Sequence, residues 1–359
     1  MNIENLLKHK VLICTGSGGV GKTTVSATLG VIAAQQGKKV LVLTIDPARR
    51  LATSLGIANH DEITKVEGLD VSGELYAGCI NEQKVFLDFL NKASNDSKIV
   101  QTITKNKLYQ QLSTTLSGSQ EFTSVVKLYD EVQSQNYDIV ILDTPPAQHA
   151  IEFLNAPKKI HTLFQGAIVK WFTEDEKDQS FLQKIVNKST KMVLSVFQKI
   201  TGAAFMQELA DFFTSLGSIQ NEIRTKTAAA DKMLKDKTTG FILITSFDEA
   251  KVQEAEEFFE TLVSDGYNLQ SIIVNRAFPA WFLEFNPSEE QNETLSFYED
   301  KIYSYYKTRS EKLDKFKQKY QSQLYIAKIP EMSTDISGLN ELQLFGKVIG
   351  DQFVNHKGD

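Results

Sequence analysis

Cysteine is almost missing from this chain: 359 residues hold only Cys14 and Cys79. Two thiols cannot build a disulfide framework or, within one chain, a four-cysteine zinc site, so zinc is not an expected cofactor and the usage suits a reducing compartment. A basic excess is missing too. Lys and Arg number 39 against 45 Asp and Glu, a formal net charge of -6. That balance leaves no cationic footprint for the phosphates of nucleic acid, which is therefore not an expected partner, or for an anionic membrane surface. No apolar run approaches the roughly 20 residues that cross a bilayer. The opening Met1-Asn2-Ile3-Glu4-Asn5-Leu6-Leu7 lacks the basic stretch and apolar core of a secretory leader. These absences predict a cytoplasmic protein. Neither an internal repeat nor a Pro/Ser-rich linker interrupts the chain.

What is present is an ordinary globular composition, 42% hydrophobic and 23% charged, sufficient for a large core. Short apolar runs rich in β-branched residues recur at Val11 to Thr15, Val40 to Ile45, Leu75 to Ile80, Ile139 to Leu142, Phe241 to Thr245, Ser271 to Val274 and Leu324 to Ile329. Each is followed by helical periodicity, the pattern of a doubly wound α/β fold whose mostly parallel sheet of seven or eight strands carries helices on both faces. Two stretches between the strands read as all-helical. They divide the chain into a core of residues 1–81, 132–155 and 238–359 and an inserted α-helical subdomain of residues 82–131 and 156–237.

The first strand runs into Gly16-Ser17-Gly18-Gly19-Val20-Gly21-Lys22-Thr23 and then Thr24, at the start of an amphipathic helix. Glycines let backbone N–H groups turn inward around phosphates, and the helix N-terminus adds a favourable dipole. A Lys in this place reaches the β- and γ-phosphates, and a Thr hydroxyl ligates magnesium, so the pattern predicts a P-loop nucleotide site for ATP and Mg2+, with Lys22 and Thr23 in those roles. No Asn-Lys-x-Asp guanine reader accompanies it. The second strand ends at Asp46, followed by Pro47-Ala48-Arg49-Arg50. A carboxylate at that edge can orient an attacking water and lie near the metal. The run Ile139-Val140-Ile141-Leu142-Asp143 has the form of a strand that ends on a magnesium-holding carboxylate. The catalytic candidates are thus Asp46 and Lys22, and the metal candidates Thr23, Asp46 and Asp143.

With these segments, and over most of its length, the chain resembles the ArsA family of dimeric ATPases, which includes arsenical-pump ATPases and factors that target tail-anchored membrane proteins. Asp46-Pro47-Ala48 resembles the family's first switch; Asp143-Thr144-Pro145-Pro146-Ala147-Gln148-His149, followed by Phe153-Leu154-Asn155-Ala156-Pro157, resembles the second, in the form of a bacterial ArsA-like branch. Ile273-Val274-Asn275-Arg276 resembles the adenine-reading segment, with Asn275 as the amide that meets the base; Ile329-Pro330 with Ile336-Ser337-Gly338-Leu339 resembles the closing loop, with Pro330 against the adenine. The resemblance implies a homodimer, or a heterodimer with a paralogue, that closes around ATP and captures a hydrophobic or membrane-protein client.

Three departures matter. Ser17 stands where the family carries a lysine that reaches the partner's nucleotide, so Arg49 or Arg50 is expected to supply that charge. The Cys-x-x-Cys zinc pair is absent. So are the clustered thiolates that arsenite or antimonite needs.

The helical stretch holds Val193, Val196, Phe197, Ile200 and Ala204 at helical spacing, which either lines a client groove or packs internally. The run Leu342, Phe345, Ile349, Phe353 forms another stripe, and without a cationic polar face it is expected to pack against the sheet rather than on a membrane. Two alternative functions stay open: a partition-type (MinD/ParA-like) localisation ATPase, and an ATP-dependent small-molecule enzyme of the same class.

Overall fold

The structure, a computed structural model, describes residues 2–46, 50–57, 62–94, 97–106, 119–165, 217–279 and 293–354, with residues 208, 211, 214 and 215. Its strands are β1 (Val11–Gly16), β2 (Lys39–Thr44), β3 (Thr64–Lys65), β4 (Glu74–Cys79), β5 (Ile139–Asp143), β6 (Thr239–Ser246), β7 (Leu269–Asn275) and β8 (Tyr325–Lys328). The described helices are α1 (Ile3–Leu6), α2 (Lys22–Gln35), α3 (Arg50–Leu55), α4 (Glu82–Ala93), α5 (Ser97–Lys105), α6 (Ser119–Ser134), α7 (Ala147–Gln165), α8 (Gln220–Leu234), α9 (Glu249–Ser264), α10 (Glu293–Tyr320) and α11 (Leu339–Val354).

One sheet collects all eight strands in the order β3-β4-β2-β5-β1-β6-β7-β8. Every pairing is parallel except β3 with β4. Every residue of β1, β5 and β6 is buried, which is why these segments read as unbroken apolar runs rather than alternating ones. β1 lies between β5 and β6, so successive connections leave it in opposite directions. The carboxyl ends of β1, β2 and β5 meet at that switch point, where open α/β sheets form a ligand crevice.

The chain divides into two compact units, Met1–Ile80 with Leu128–Glu152 and Lys232–Asp359, and Asn81–Lys127 with Phe153–Asp231. The first holds the sheet. Within it α2 is buried over most of its surface, and Leu342, Phe345, Ile349 and Phe353 of α11 are at most 2% exposed. The C-terminal stripe thus packs inward, as its polar face suggested, but it lies on α2 as well as the sheet layer: a β-carbon on Gly346 would touch Ile32 Cγ1 at 3.2 Å.

The second unit is helical where described. Phe89 of α4 sits edge-on to Phe122 at 5.9 Å, and Asn106 Nδ2 donates to the Glu208 carbonyl at 2.8 Å. Val193, Val196, Phe197, Ile200 and Ala204 lie outside the described residues. Among the described residues no helix is long and apolar enough to cross a membrane.

Candidate functional site

The phosphate loop is shaped by what its glycines permit. Gly16, at φ +147°, closes β1 so tightly against β6 that a β-carbon there would lie 1.9 Å from the Ile244 carbonyl oxygen. Gly21, at φ +89°, caps α2 from the left-handed region, without a side-chain cap. The N–H groups of the first helical turn are therefore left for an anion.

Lys22 is buried, and its Nζ donates to the Ser17 carbonyl at 2.8 Å. Burial holds its ammonium below the usual range, against the pull of Asp143 and Asp46, while Arg50 and Lys251 push the same way as burial. A desolvated ammonium that leans on one carbonyl is suited to exchanging that partner for phosphate oxygens.

Asp143 ends β5 at 1% exposure. Its Oδ2 accepts from Thr23 Oγ1 at 2.7 Å and from Thr44 Oγ1 at 3.0 Å, whereas Oδ1 is buried without a hydrogen-bond partner. Burial pushes its pKa up to about 6, opposed by the two threonine hydroxyls and Lys22. A carboxylate with an orphaned buried oxygen beside a threonine hydroxyl is a hard-oxygen donor set of the kind magnesium takes, so Thr23 and Asp143 could hold that ion.

Asp46 lies two residues beyond β2, with its N–H donating to Thr44 Oγ1 at 3.2 Å. Its side chain is 32% exposed, and Oδ2 lies 4.0 Å from Arg50 Nε. The carboxylate can therefore reach water at the edge of the cleft. Pro47, Ala48 and Arg49 fall outside the described residues.

Asn275 ends β7, buried, and its Nδ2 donates to the Val20 carbonyl at 2.9 Å, from one side of the sheet to the back of the phosphate loop. The next residue, Arg276, takes a left-handed φ of +51°. Pro330 is half-buried just past β8; its neighbours Ile329 and Glu331 bond along the segment after β7, Ala277 N–H to Ile329 O at 2.8 Å and Glu331 N–H to Phe278 O at 3.0 Å. The structure thus brings Lys22, Thr23, Asp46 and Asp143 to one place and sets the Asn275 and Pro330 segments side by side.

The profile of the anion-transporting ATPases, the ArsA family, matches residues 9–351. The chain belongs to that family. As a family member it is an ATPase, and its similarity to known proteins runs nearly end to end. It is 24% identical over 349 residues, covering 96% of this chain and 79% of the other, to a protein of Aquifex aeolicus (strain VF5) provisionally named arsenical pump-driving ATPase 1. It is 26% identical over 369 residues, 96% and 93% of the two chains, to an ATPase ASNA1 homolog of Babesia bovis. To ATPase GET3 of Mycosarcoma maydis it is 22% identical over 359 residues, 98% and 95% of the two chains.

Thr44 did not stand out in the sequence. It sits inside an apolar strand, yet its hydroxyl joins Asp143 and the Asp46 backbone. Polarity directly after the apolar run Val40 to Leu43, two residues before Asp46, is the signal that marks it.

Proposed function

We propose that this family member is a nucleotide-driven switch: two copies, or this chain and a paralogue, close around Mg-ATP and use hydrolysis to capture and release a hydrophobic protein client in the cytoplasm. The observation that carries the reading is the convergence of Lys22, Thr23, Asp46 and Asp143 at the carboxyl edge of β1, β2 and β5. In it the Gly16 to Thr24 backbone cradles the phosphates. Lys22 leaves the Ser17 carbonyl for the β- and γ-phosphates, and Thr23 and Asp143 would hold magnesium with Asp46 nearby. When bound, the metal neutralises charge on the phosphates. Asp46 orients the attacking water. Asn275 and Pro330 border the adenine. Of the two arginines expected to supply the charge missing at Ser17, Arg50 is the described one, 4.0 Å from Asp46; an Arg50→Ala protein that hydrolyses ATP at the wild-type rate removes it from this scheme. The inward packing of α11 and the net charge of -6 weigh against a membrane- or DNA-located partition ATPase.

The test is purification of Asp46→Asn from its native cells in Mg-ATP, with Lys22→Ala as the non-binding control. Sedimentation should show a nucleotide-dependent dimer for Asp46→Asn alone, and proteins with a single apolar helix should co-purify with it. A monomer in both variants, with no protein retained, would move a small-molecule substrate to the front.

A further inference from the structure

β6 is pressed against the phosphate loop. Gly16 pairs with Ile244 in the β1–β6 register, so tightly that glycine alone fits. Two residues later β6 ends at Ser246, and α9 begins at Glu249. Its first turn is tied back to the strand: Thr245 Oγ1 donates to the Lys251 carbonyl at 2.9 Å. The third residue of α9, Lys251, is therefore anchored to the strand position next to Ile244, with its side chain 30% exposed.

Its Nζ donates to both oxygens of Glu254, at 3.0 and 3.2 Å. Glu254 in turn stands beside Ser17, whose hydroxyl is the foremost of the groups that keep this carboxyl below the usual range, ahead of Lys251. The Ser17 hydroxyl is itself buried and completes no hydrogen bond of regular geometry. On the other side, the Lys251 charge is felt by Lys22. A second ammonium thus lies within electrostatic reach of the loop lysine, held by a carboxylate that stands beside the buried Ser17 hydroxyl.

We infer that Lys251 is a phosphate ligand of this site, held by Glu254 before nucleotide enters and transferred to the terminal phosphate of Mg-ATP. The inference rests on reading the loop as the ATP site. The exchange conserves pairing. Lys251 trades a carboxylate for a more highly charged phosphate, and Glu254, once released, keeps the Ser17 hydroxyl beside it as a donor. It also gives the site a sensor for the third phosphate, because ADP carries no group there to draw Lys251 away from Glu254. Cationic help to the phosphates then comes from the helix after β6, in a chain with serine at position 17.

Calorimetric titration with Mg-ATPγS and Mg-ADP tests this. Lys251→Ala should bind Mg-ATPγS at least about tenfold more weakly, the usual size of one lost charge-assisted contact, and Mg-ADP within about twofold of wild type. Lys251→Arg should recover most of the ATPγS affinity. Glu254→Gln, which loosens the restraint, should tighten ATPγS binding severalfold. An equal loss of both nucleotides in Lys251→Ala, or no change in either, overturns the proposal; no change is what a solvated surface pair gives. Retained ATPγS binding by Lys22→Ala would instead overturn the reading of the loop itself, so the two failures are separable.

Discussion

The Thr23 hydroxyl donates to Asp143 Oδ2 at 2.7 Å across 120 residues of chain, with Thr44 sharing the same oxygen at 3.0 Å. Two hydroxyls therefore hold a carboxylate that is 1% exposed, with its other oxygen unpaired. Such a group lowers the stability of the empty fold, since burial raises its pKa to about 6. Asp143→Asn keeps an acceptor for the threonines and removes the charge. Its nucleotide-free form should be more stable than wild type by about 1 to 2 kcal/mol in urea melts at neutral pH, while Mg-ATP turnover falls at least about a hundredfold. The penalty is full above about 6, where folded Asp143 is charged, and fades between that value and 3.8, the ordinary carboxyl value, so the variant's advantage should shrink across that window as the pH falls.

Asn275 reaches Val20 before it reaches any base. Asn275→Ala removes the 2.9 Å bond to the Val20 carbonyl and leaves that buried oxygen short of a partner, a loss of about 1 to 3 kcal/mol. Affinity for ATP should drop about tenfold or more. The same titrations with GTP divide two roles. A narrowed preference for ATP assigns Asn275 to the base, and an equal loss for both nucleotides assigns it to the loop alone.

Gly16 and Gly19 give contrasting tolerance in one loop. An alanine β-carbon at 16 meets the Ile244 carbonyl oxygen at 1.9 Å, whereas at 19, with φ +80°, it meets nothing within 4 Å. Gly16→Ala should therefore lose more than about 3 kcal/mol of stability, from the forced separation of β1 and β6, and Gly19→Ala only the backbone strain of about 1 kcal/mol. Denaturant melts of the two nucleotide-free variants measure both.

Cys14 is buried in β1, and burial pushes its thiol up to about 12. Ellman's reagent at pH 8 should leave it unmodified in folded protein and modify it at once in denaturant. Because the folded thiol stays neutral where the unfolded one ionises, Cys14 makes stability fall as pH rises above about 9, by about 1.4 kcal/mol per unit until its folded pKa is reached. Cys14→Ala should flatten that slope.

All seven strands foreseen in the sequence are present, because buried parallel strands carry their signal in unbroken runs such as Ile139-Val140-Ile141-Leu142. The antiparallel β3 escaped notice: two residues, Thr64 and Lys65, set by pairing to Tyr76 and Ala77, leave no periodicity to read. The loop motif exposed Lys22 and Thr23 since their spacing is dictated by phosphate geometry. It did not expose Thr44, nor Lys251 and Glu254, whose proposed roles depend on which strands become neighbours. β6 is distant from β1 in the chain and adjacent to it in the sheet.

The most direct test of the central claim is single-turnover hydrolysis of Mg-ATP by wild type and Asp46→Asn, with nucleotide affinity measured in parallel. Asp46→Asn should bind ATP within about threefold of wild type and cleave it at least about a hundredfold more slowly, since the carboxylate orients the water and does not bind the phosphates. Cleavage at the wild-type rate by Asp46→Asn, or loss of binding equal to the loss of rate, would contradict the account.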